Sequence, residues 1–239
     1  MPGCGAVTTV ACTGAATAPA ASAENRWRRQ PIGIVFVIFD PASRQDGGPS
    51  RTLYAGISTR GTSLFVSHDG GRHWQPVPGQ PGGLRPNHMH RASDGAYYLS
   101  YGDEPGPDHM QDGAVWKYEP AAGRWTDITP IPHQGKQPLG FGWGDIAVDP
   151  HDSRRLIAST FSRYTPHDLL FRSSDGGKHW IELFARSQFD HSEASWTQDH
   201  TPHWISNIAI DPYDADHVLF VTGYGIWASR DMRGADHGG

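Results

Sequence analysis

An eight-residue motif that occurs twice constrains the fold more than any other feature of this sequence. It reads Ser-His-Asp-Gly-Gly-Arg-His-Trp from residue 67 and Ser-Ser-Asp-Gly-Gly-Lys-His-Trp from residue 173. Half of the interval between the copies is about 53 residues, a suitable length for one four-stranded blade of a β-propeller. A unit without the motif lies between them and ends in Gly123-Arg124-Trp125, so that tryptophans 74, 125 and 180 close three successive units.

A second marker recurs in the same order, an apolar strand that ends in Asp-Pro. It occurs at residues 38–41, 147–150 and 209–212, and an apolar strand follows each copy. We therefore predict an all-β fold, a partial β-propeller of about four four-stranded blades with Asp-box turns. The predicted blades span about residues 33–80, 81–132, 140–184 and 201–231 of a domain at 33–239, and the last blade is incomplete.

Composition agrees with this fold and excludes several classes of protein. The 239 residues include 29 glycines and 19 prolines with only 19% charged residues, which favours short strands and tight turns. The net charge is −5 and the basic residues form no run, so we expect no nucleic acid partner. No apolar run approaches the roughly 20 residues that cross a bilayer, so we expect no membrane partner.

The first 32 residues differ in character from the rest, and we expect a disordered or misread N-terminal segment there. They contain the two cysteines, Cys4 and Cys12, which leaves no disulfide or cysteine-based zinc site for the folded part. Ala21-Ser22-Ala23 resembles a cleavage site, but no basic residue precedes it and no continuous apolar core accompanies it. The segment is therefore not a convincing signal peptide.

The repeated motif has the pattern of an Asp-box, Ser-x-Asp-x-Gly-x-x-Trp, whose role is structural. Its aspartate accepts backbone N–H bonds within the turn, its glycine permits positive φ, and its tryptophan packs between blades. The predicted structural residues are Ser67, Asp69, Gly71, Trp74, Ser173, Asp175, Gly177 and Trp180.

The connections on one rim of the predicted propeller are rich in aromatic and histidine residues. Flat rings beside hydrogen-bonding groups suit saccharides, although some of these rings could instead fill the interior. The candidate substrate-binding residues are His88, His90, Tyr101, Trp143, Tyr164, His203, Trp204 and Tyr224, with Asp103, Asp145 and Asp168 nearby in sequence. The His-x-His spacing also fits a metal site, but the sequence positions no further ligand, so we predict no metal and no cofactor.

The ordered succession of motifs resembles glycoside hydrolase family 74 over about residues 33–231. The matching segments are 35–41, 97–101 with 106–107, 115–118, 141–144, 171–177, 202–204, 210–212 and 223–226. The resemblance implies a secreted or periplasmic endo-β-1,4-glucanase that cleaves xyloglucan by inversion in a cleft between two propellers. Inversion requires a general acid and a general base.

That family has two catalytic motifs: a Thr-Asp-x-Gly-Gly segment, and a later Gly-Asp followed by an aromatic residue and histidine. Neither motif occurs in this sequence. We therefore predict a fragment that forms part of the glycan-binding cleft, lacks the two catalytic carboxylates, needs the rest of a two-propeller chain and is inactive alone. Catalytic residues stay unassigned.

Two other functions share the Asp-box. A non-catalytic Asp-box propeller would bind a protein or a glycan and would resemble assembly-factor and sorting-receptor propellers. A sialidase-like hydrolase would need three arginines that grip a carboxylate. Arg91, Arg163 and Arg172 are present, but their sequence context is not that of a sialidase.

Overall fold

The computed structural model describes residues 33–106, 108–200 and 202–234. The predicted N-terminal segment 1–32 lies outside the described residues. Within them, fifteen strands form four antiparallel sheets in which each strand pairs with the next one along the chain. The all-β partial propeller predicted from the sequence is confirmed, and the four sheets do not close into a ring.

The strand bounds define the four sheets. Sheet 1 contains β1 (Ile34–Phe39), β2 (Leu53–Ile57), β3 (Leu64–Ser67) and β4 (Gln75–Pro76). Sheet 2 contains β5 (Arg85–Arg91), β6 (Tyr97–Gly102), β7 (Gly113–Glu119) and β8 (Arg124–Asp127). Sheet 3 contains β9 (Gly142–Val148), β10 (Leu156–Phe161), β11 (Leu170–Ser173) and β12 (Ile181–Glu182). Sheet 4 contains β13 (Asn207–Ile210), β14 (Val218–Thr222) and β15 (Gly225–Ser229).

The first strands of successive sheets, β1, β5, β9 and β13, lie next to one another. This arrangement corrects one part of the sequence interpretation, which placed His88, His90, Trp143 and Asp145 in connections on a rim. His88 and His90 lie within β5, and Trp143 and Asp145 lie within β9. The polar sequence of β5 hides its strand character, because backbone pairing with β6 maintains the strand where side-chain propensity does not.

The core lies between sheets, because each inner sheet buries both of its faces. Alternation along β6 shows this directly: Tyr97 and Leu99 point toward sheet 1, whereas Tyr98 points toward sheet 3. The hydroxyl of Tyr98 donates to the carbonyl of Ser153 at 3.0 Å and so links two sheets. A third cluster, which includes Leu170 and Phe220, fills the space between sheets 3 and 4.

The two copies of the repeated motif adopt the same hydrogen-bonded turn. Ser67 Oγ donates to Asp69 Oδ1 at 2.8 Å and accepts from the Gly71 N–H at 2.9 Å; Asp69 Oδ1 also accepts from the His73 N–H at 2.9 Å. In the second copy the corresponding bonds join Ser173, Asp175, Gly177 and His179 at 2.9, 2.9 and 3.0 Å. Gly71 and Gly177 have φ of 90° and 89°, which is the left-handed region that favours glycine.

Two of the closing tryptophans tie sheets 2 and 3 to the sheet that precedes each of them. Trp125 Nε1 donates to the carbonyl of Pro78 at 3.1 Å, and Trp180 Nε1 donates to the carbonyl of Ile128 at 2.9 Å. Pro78 and Ile128 follow the last strands of sheets 1 and 2. Trp74 Nε1 instead donates to the carbonyl of Gly71 in its own turn at 3.0 Å. The spacing of Trp125 and Trp180 therefore reflects one contact that recurs between neighbouring sheets.

Replacing Ser173 with alanine should lower the free energy of unfolding by about 1–3 kcal/mol, because it leaves the buried Gly177 N–H without its acceptor. Urea denaturation followed by tryptophan fluorescence measures this. Ser174, which is exposed and adjacent, provides the control, and Ser174→Ala should change stability by less than about 0.5 kcal/mol. Equal effects of the two substitutions would contradict the structural role of the turn.

The stabilising effect of Asp175 should depend on pH in a defined direction. Burial raises its pKa, but hydrogen bonds from the His179 backbone, the His179 ring and Ser173 outweigh burial and lower the pKa to about 2. Because the folded pKa lies below the ordinary value near 3.8, the contribution is complete above about pH 4 and is lost as the pH falls through about 2. The stability difference between the wild type and Asp175→Asn should shrink across that window. A difference that stays constant from about pH 6 to 2 would refute this assignment.

Candidate functional site

Several aromatic rings meet where three connections come together beside sheets 3 and 4. Tyr164 lies between β10 and β11, His200, His203 and Trp204 precede β13, and Tyr224 lies in the turn between β14 and β15. We call these five residues the aromatic platform. They come from distant parts of the sequence, and the three connections lie at adjoining strand ends.

The rings of the platform form a nearly continuous surface. His200 and Tyr224 stack with ring centroids 4.2 Å apart and an interplanar angle of 9°, and Trp204 stacks on Tyr224 at 6.2 Å and 26°. Tyr164 lies 5.8 Å from the ring of His203, and its hydroxyl is 3.3 Å from Trp204 Nε1. The platform thus combines parallel ring faces with polar groups along its edge.

Part of this surface is open to solvent. The side chain of Tyr164 is 50% exposed, and Trp196, which donates to the Tyr224 carbonyl at 3.4 Å, is 65% exposed. The Tyr164 hydroxyl also donates to the exposed carboxylate of Asp108. A ligand with flat apolar faces and hydroxyl groups could therefore contact rings and polar atoms at the same time.

The carboxylate of Asp168 fixes the connections that carry the platform. This carboxylate is fully buried: Oδ2 accepts from the Trp204 N–H at 2.6 Å, while Oδ1 accepts from the Thr160 hydroxyl at 2.9 Å and the Arg163 N–H at 3.0 Å. Burial raises the pKa of Asp168, although these bonds oppose the rise. Because its oxygens are enclosed and engaged, Asp168 is a positioning residue for the platform.

Trp204 has an unusual backbone conformation that Gly223 accommodates. Its φ of 58° lies in the left-handed region, which a residue with a bulky side chain adopts only when its surroundings impose it. The Gly223 N–H donates to the His203 carbonyl at 2.9 Å, and a Cβ at Gly223 would lie 2.3 Å from Trp204 Cε3. The indole therefore rests directly on the glycine backbone.

The eight candidate residues of the sequence analysis separate into three groups. Tyr164, His203, Trp204 and Tyr224 belong to the platform, while His88 and His90 contact Asp145 on the first strands. Tyr101 and Trp143 are fully buried in the core between sheets, so their rings offer no face to a saccharide. Tyr101 and Trp143 therefore fill the interior, as the sequence analysis allowed for some of these rings.

Sequence reasoning missed His200, Trp196 and Asp108 as members or neighbours of the platform. The segment 186–200 contains two large aromatic residues, Phe189 and Trp196, but its other residues are mostly polar and follow no motif that would place it at a site. The arginines considered for a sialidase are engaged elsewhere: Arg91 pairs with Asp40 at 3.0 Å, and Arg163 donates to the His167 carbonyl at 2.7 Å.

Comparison with known proteins reveals close similarity to xyloglucanases. No protein-family model matches the chain. The crystal structure of a family 74 xyloglucanase from Xanthomonas campestris superposes with a TM-score of 0.79 at 59% identity, over 84% of this chain and 28% of that one. The chain belongs to glycoside hydrolase family 74.

Other members of family 74 support the same assignment. A family 74 enzyme from Niastella koreensis matches with a TM-score of 0.73 and 32% identity, over 84% of this chain and 30% of that one. A xyloglucanase of Acetivibrio thermocellus is 35% identical over 87% of this chain and 27% of its own length. The chain thus spans about a quarter to a third of the family 74 relatives that it matches. Among the described residues, no helix is long and apolar enough to cross a bilayer.

Replacing Gly223 with alanine should displace the Trp204 indole, because the added methyl group would overlap the ring. The expected result is a shift of tryptophan emission to longer wavelength and increased quenching by acrylamide. Gly225 is the matched control, since a Cβ there meets nothing within 4 Å. Identical spectra for Gly223→Ala and the wild type would show that the indole does not rest on this glycine.

Proposed function

We propose that this chain forms part of the glycan-binding cleft of a secreted, xyloglucan-cleaving glycoside hydrolase, and that the aromatic platform contacts the β-1,4-glucan backbone. The observation that carries this proposal is the stacked surface of Trp204, Tyr224 and His200. Its support comes from the family, whose members with similar sequence and structure are named as xyloglucanases.

The chemistry of the platform fits a polysaccharide better than a charged ligand. The faces of pyranose rings carry C–H groups that pack on aromatic rings, while their equatorial hydroxyls need donors and acceptors at the edges. Here the Tyr164 hydroxyl and the Asp108 carboxylate supply polar groups at one edge. A β-1,4-glucan is flat and extended, which suits rings arranged side by side.

Hydrolysis by inversion would need two carboxyl groups about 6.5–9.5 Å apart on either side of the scissile bond. Asp145 and Asp168 are fully buried and accept several hydrogen bonds each, so neither can reach a glycosidic oxygen. We therefore assign no catalytic residue and propose that this chain binds xyloglucan oligosaccharides without cleaving them. Saturable release of reducing ends from xyloglucan by the purified chain would contradict this part of the proposal.

Substituting Trp204 or Tyr224 with alanine should weaken binding of a xyloglucan oligosaccharide about 2- to 12-fold, because each change removes one stacking face worth roughly 0.5–1.5 kcal/mol. Isothermal titration calorimetry on the full chain measures the dissociation constants. Tyr213 is the control, because its side chain is 97% exposed and contacts no other aromatic ring among the described residues. Tyr213→Ala should bind as the wild type does.

Two results would contradict a saccharide-binding platform. One is an absence of binding by the wild-type chain when circular dichroism shows that it is folded. The other is an equal loss of affinity in all three variants. Retained binding to a protein partner with no affinity for glucans would instead favour a non-catalytic propeller.

A further inference from the structure

Two histidines and an aspartate on adjacent first strands bring their ligand atoms together. The rings of His88 and His90 stack on one face of β5 with centroids 6.1 Å apart and planes within 7°. His90 Nε2 lies 2.9 Å from Asp145 Oδ1, and His88 Nδ1 lies 3.7 Å from the same oxygen. All three ligand atoms are within 4.8 Å of one another, the one such group of three or more ligating side chains among the described residues.

We propose that His88, His90 and Asp145 bind a divalent transition-metal ion of the zinc class, with two imidazole nitrogens and one carboxylate oxygen as ligands. This differs from the sequence prediction of no metal, which was made without a third ligand for the two histidines. Zinc binds nitrogen and oxygen at about 2.0–2.2 Å, so tetrahedral ligand atoms lie about 3.4 Å apart. The observed separations of 2.9 and 3.7 Å lie on either side of that value.

Hydrogen-bond donors around Asp145 orient its carboxylate, as outer hydrogen bonds do at metal sites. Asp145 Oδ2 accepts from the Ile208 N–H at 2.8 Å and from Asn207 Nδ2 at 3.3 Å, and Oδ1 accepts from the Ile146 N–H at 2.8 Å. Such second contacts fix the carboxylate orientation that a metal ion requires.

Access also suits an ion. Both imidazole side chains are 35% exposed, whereas Asp145 is fully buried, so an ion can enter from the histidine side and keep water in its open positions. The ion would replace the hydrogen bond from His90 Nε2 to Asp145, and the displaced proton moves to Nδ1 or to solvent.

The alternative is a structural hydrogen bond between β5 and β9 that needs no ion. A simple His–carboxylate pair explains the contact between His90 and Asp145, but it does not require the second imidazole of His88. A second histidine–aspartate pair, which has no third ligand, provides a control that separates a metal site from a simple hydrogen bond. His217 Nδ1 lies 3.0 Å from Asp211 Oδ2, and that pair belongs to no group of three ligands among the described residues.

Titration of the metal-free full chain with Zn²⁺ tests the site. Calorimetry should show one equivalent bound by the wild type and by the control His217→Gln, and at least a tenfold loss of affinity in His88→Gln and in His90→Gln, about 1.4 kcal/mol. His88→Gln retains the bond between His90 and Asp145, so its fold should persist, which circular dichroism checks.

A second measurement uses only the wild type, so its outcome does not depend on whether a variant folds. In the 15N-labelled chain, one equivalent of Zn²⁺ should shift the ring nitrogen signals of two histidines, and Co²⁺ should produce visible absorption bands that Zn²⁺ abolishes. The proposal is wrong if the wild type binds no stoichiometric ion, or if His88→Gln binds Zn²⁺ as tightly as the wild type. Glycan affinity, measured in parallel, is independent of either result, because the platform shares no residue with this cluster.

Discussion

Burial of both faces of every inner sheet is the constraint on which the rest of the structure depends. A four-stranded sheet of this size cannot form a core alone, so its alternating residues must pack against the sheets before and after it. Tyr97 and Leu99 meet sheet 1 while Tyr98 meets sheet 3, and the same strand therefore contributes to two clusters. The closing tryptophans add a fixed hydrogen bond to this packing, because Trp125 and Trp180 donate to carbonyls of the preceding unit. The shared core and these bonds together hold neighbouring sheets in place, and with them the connections at the strand ends.

That placement explains how residues distant in sequence form one surface. Tyr164 and Trp204 occupy the ends of sheets 3 and 4, and buried Asp168 joins their connections through the Trp204 N–H and the Arg163 N–H. Gly223 then allows the indole to approach the backbone of the next turn. A fixed platform loses little conformational freedom when a ligand binds, which favours affinity for weakly interacting molecules such as saccharides.

The sequence predicted the fold well because its signals were local and repeated. The Ser-x-Asp-x-Gly-x-x-Trp turn uses hydrogen bonds within eight residues, and strands such as Val218–Thr222 have apolar side chains that dictate their conformation. The strand β5 was missed because its residues Asn87, His88 and His90 are polar and its pairing depends on β6. The site was predicted only in part, because exposure is a property of packing between sheets. Nothing in the sequence of Trp143 distinguishes its buried ring from the half-buried ring of Trp204.

The two buried aspartates show how neighbours decide what a carboxylate can do. Burial raises the pKa of both, but the outcome differs because their partners differ. Asp168 is surrounded mainly by neutral N–H and O–H donors, which hold its orientation without overcoming burial, so its pKa stays raised. Asp145 has the imidazoles of His90 and His88 beside it, and their hydrogen bond and charge outweigh burial and lower its pKa. A cation nearby, such as an imidazolium or a metal ion, stabilises a carboxylate that remains ionised in the interior. The cluster on the first strands therefore favours positive charge, whereas Asp168 fixes the positions of the Trp204 and Arg163 backbones.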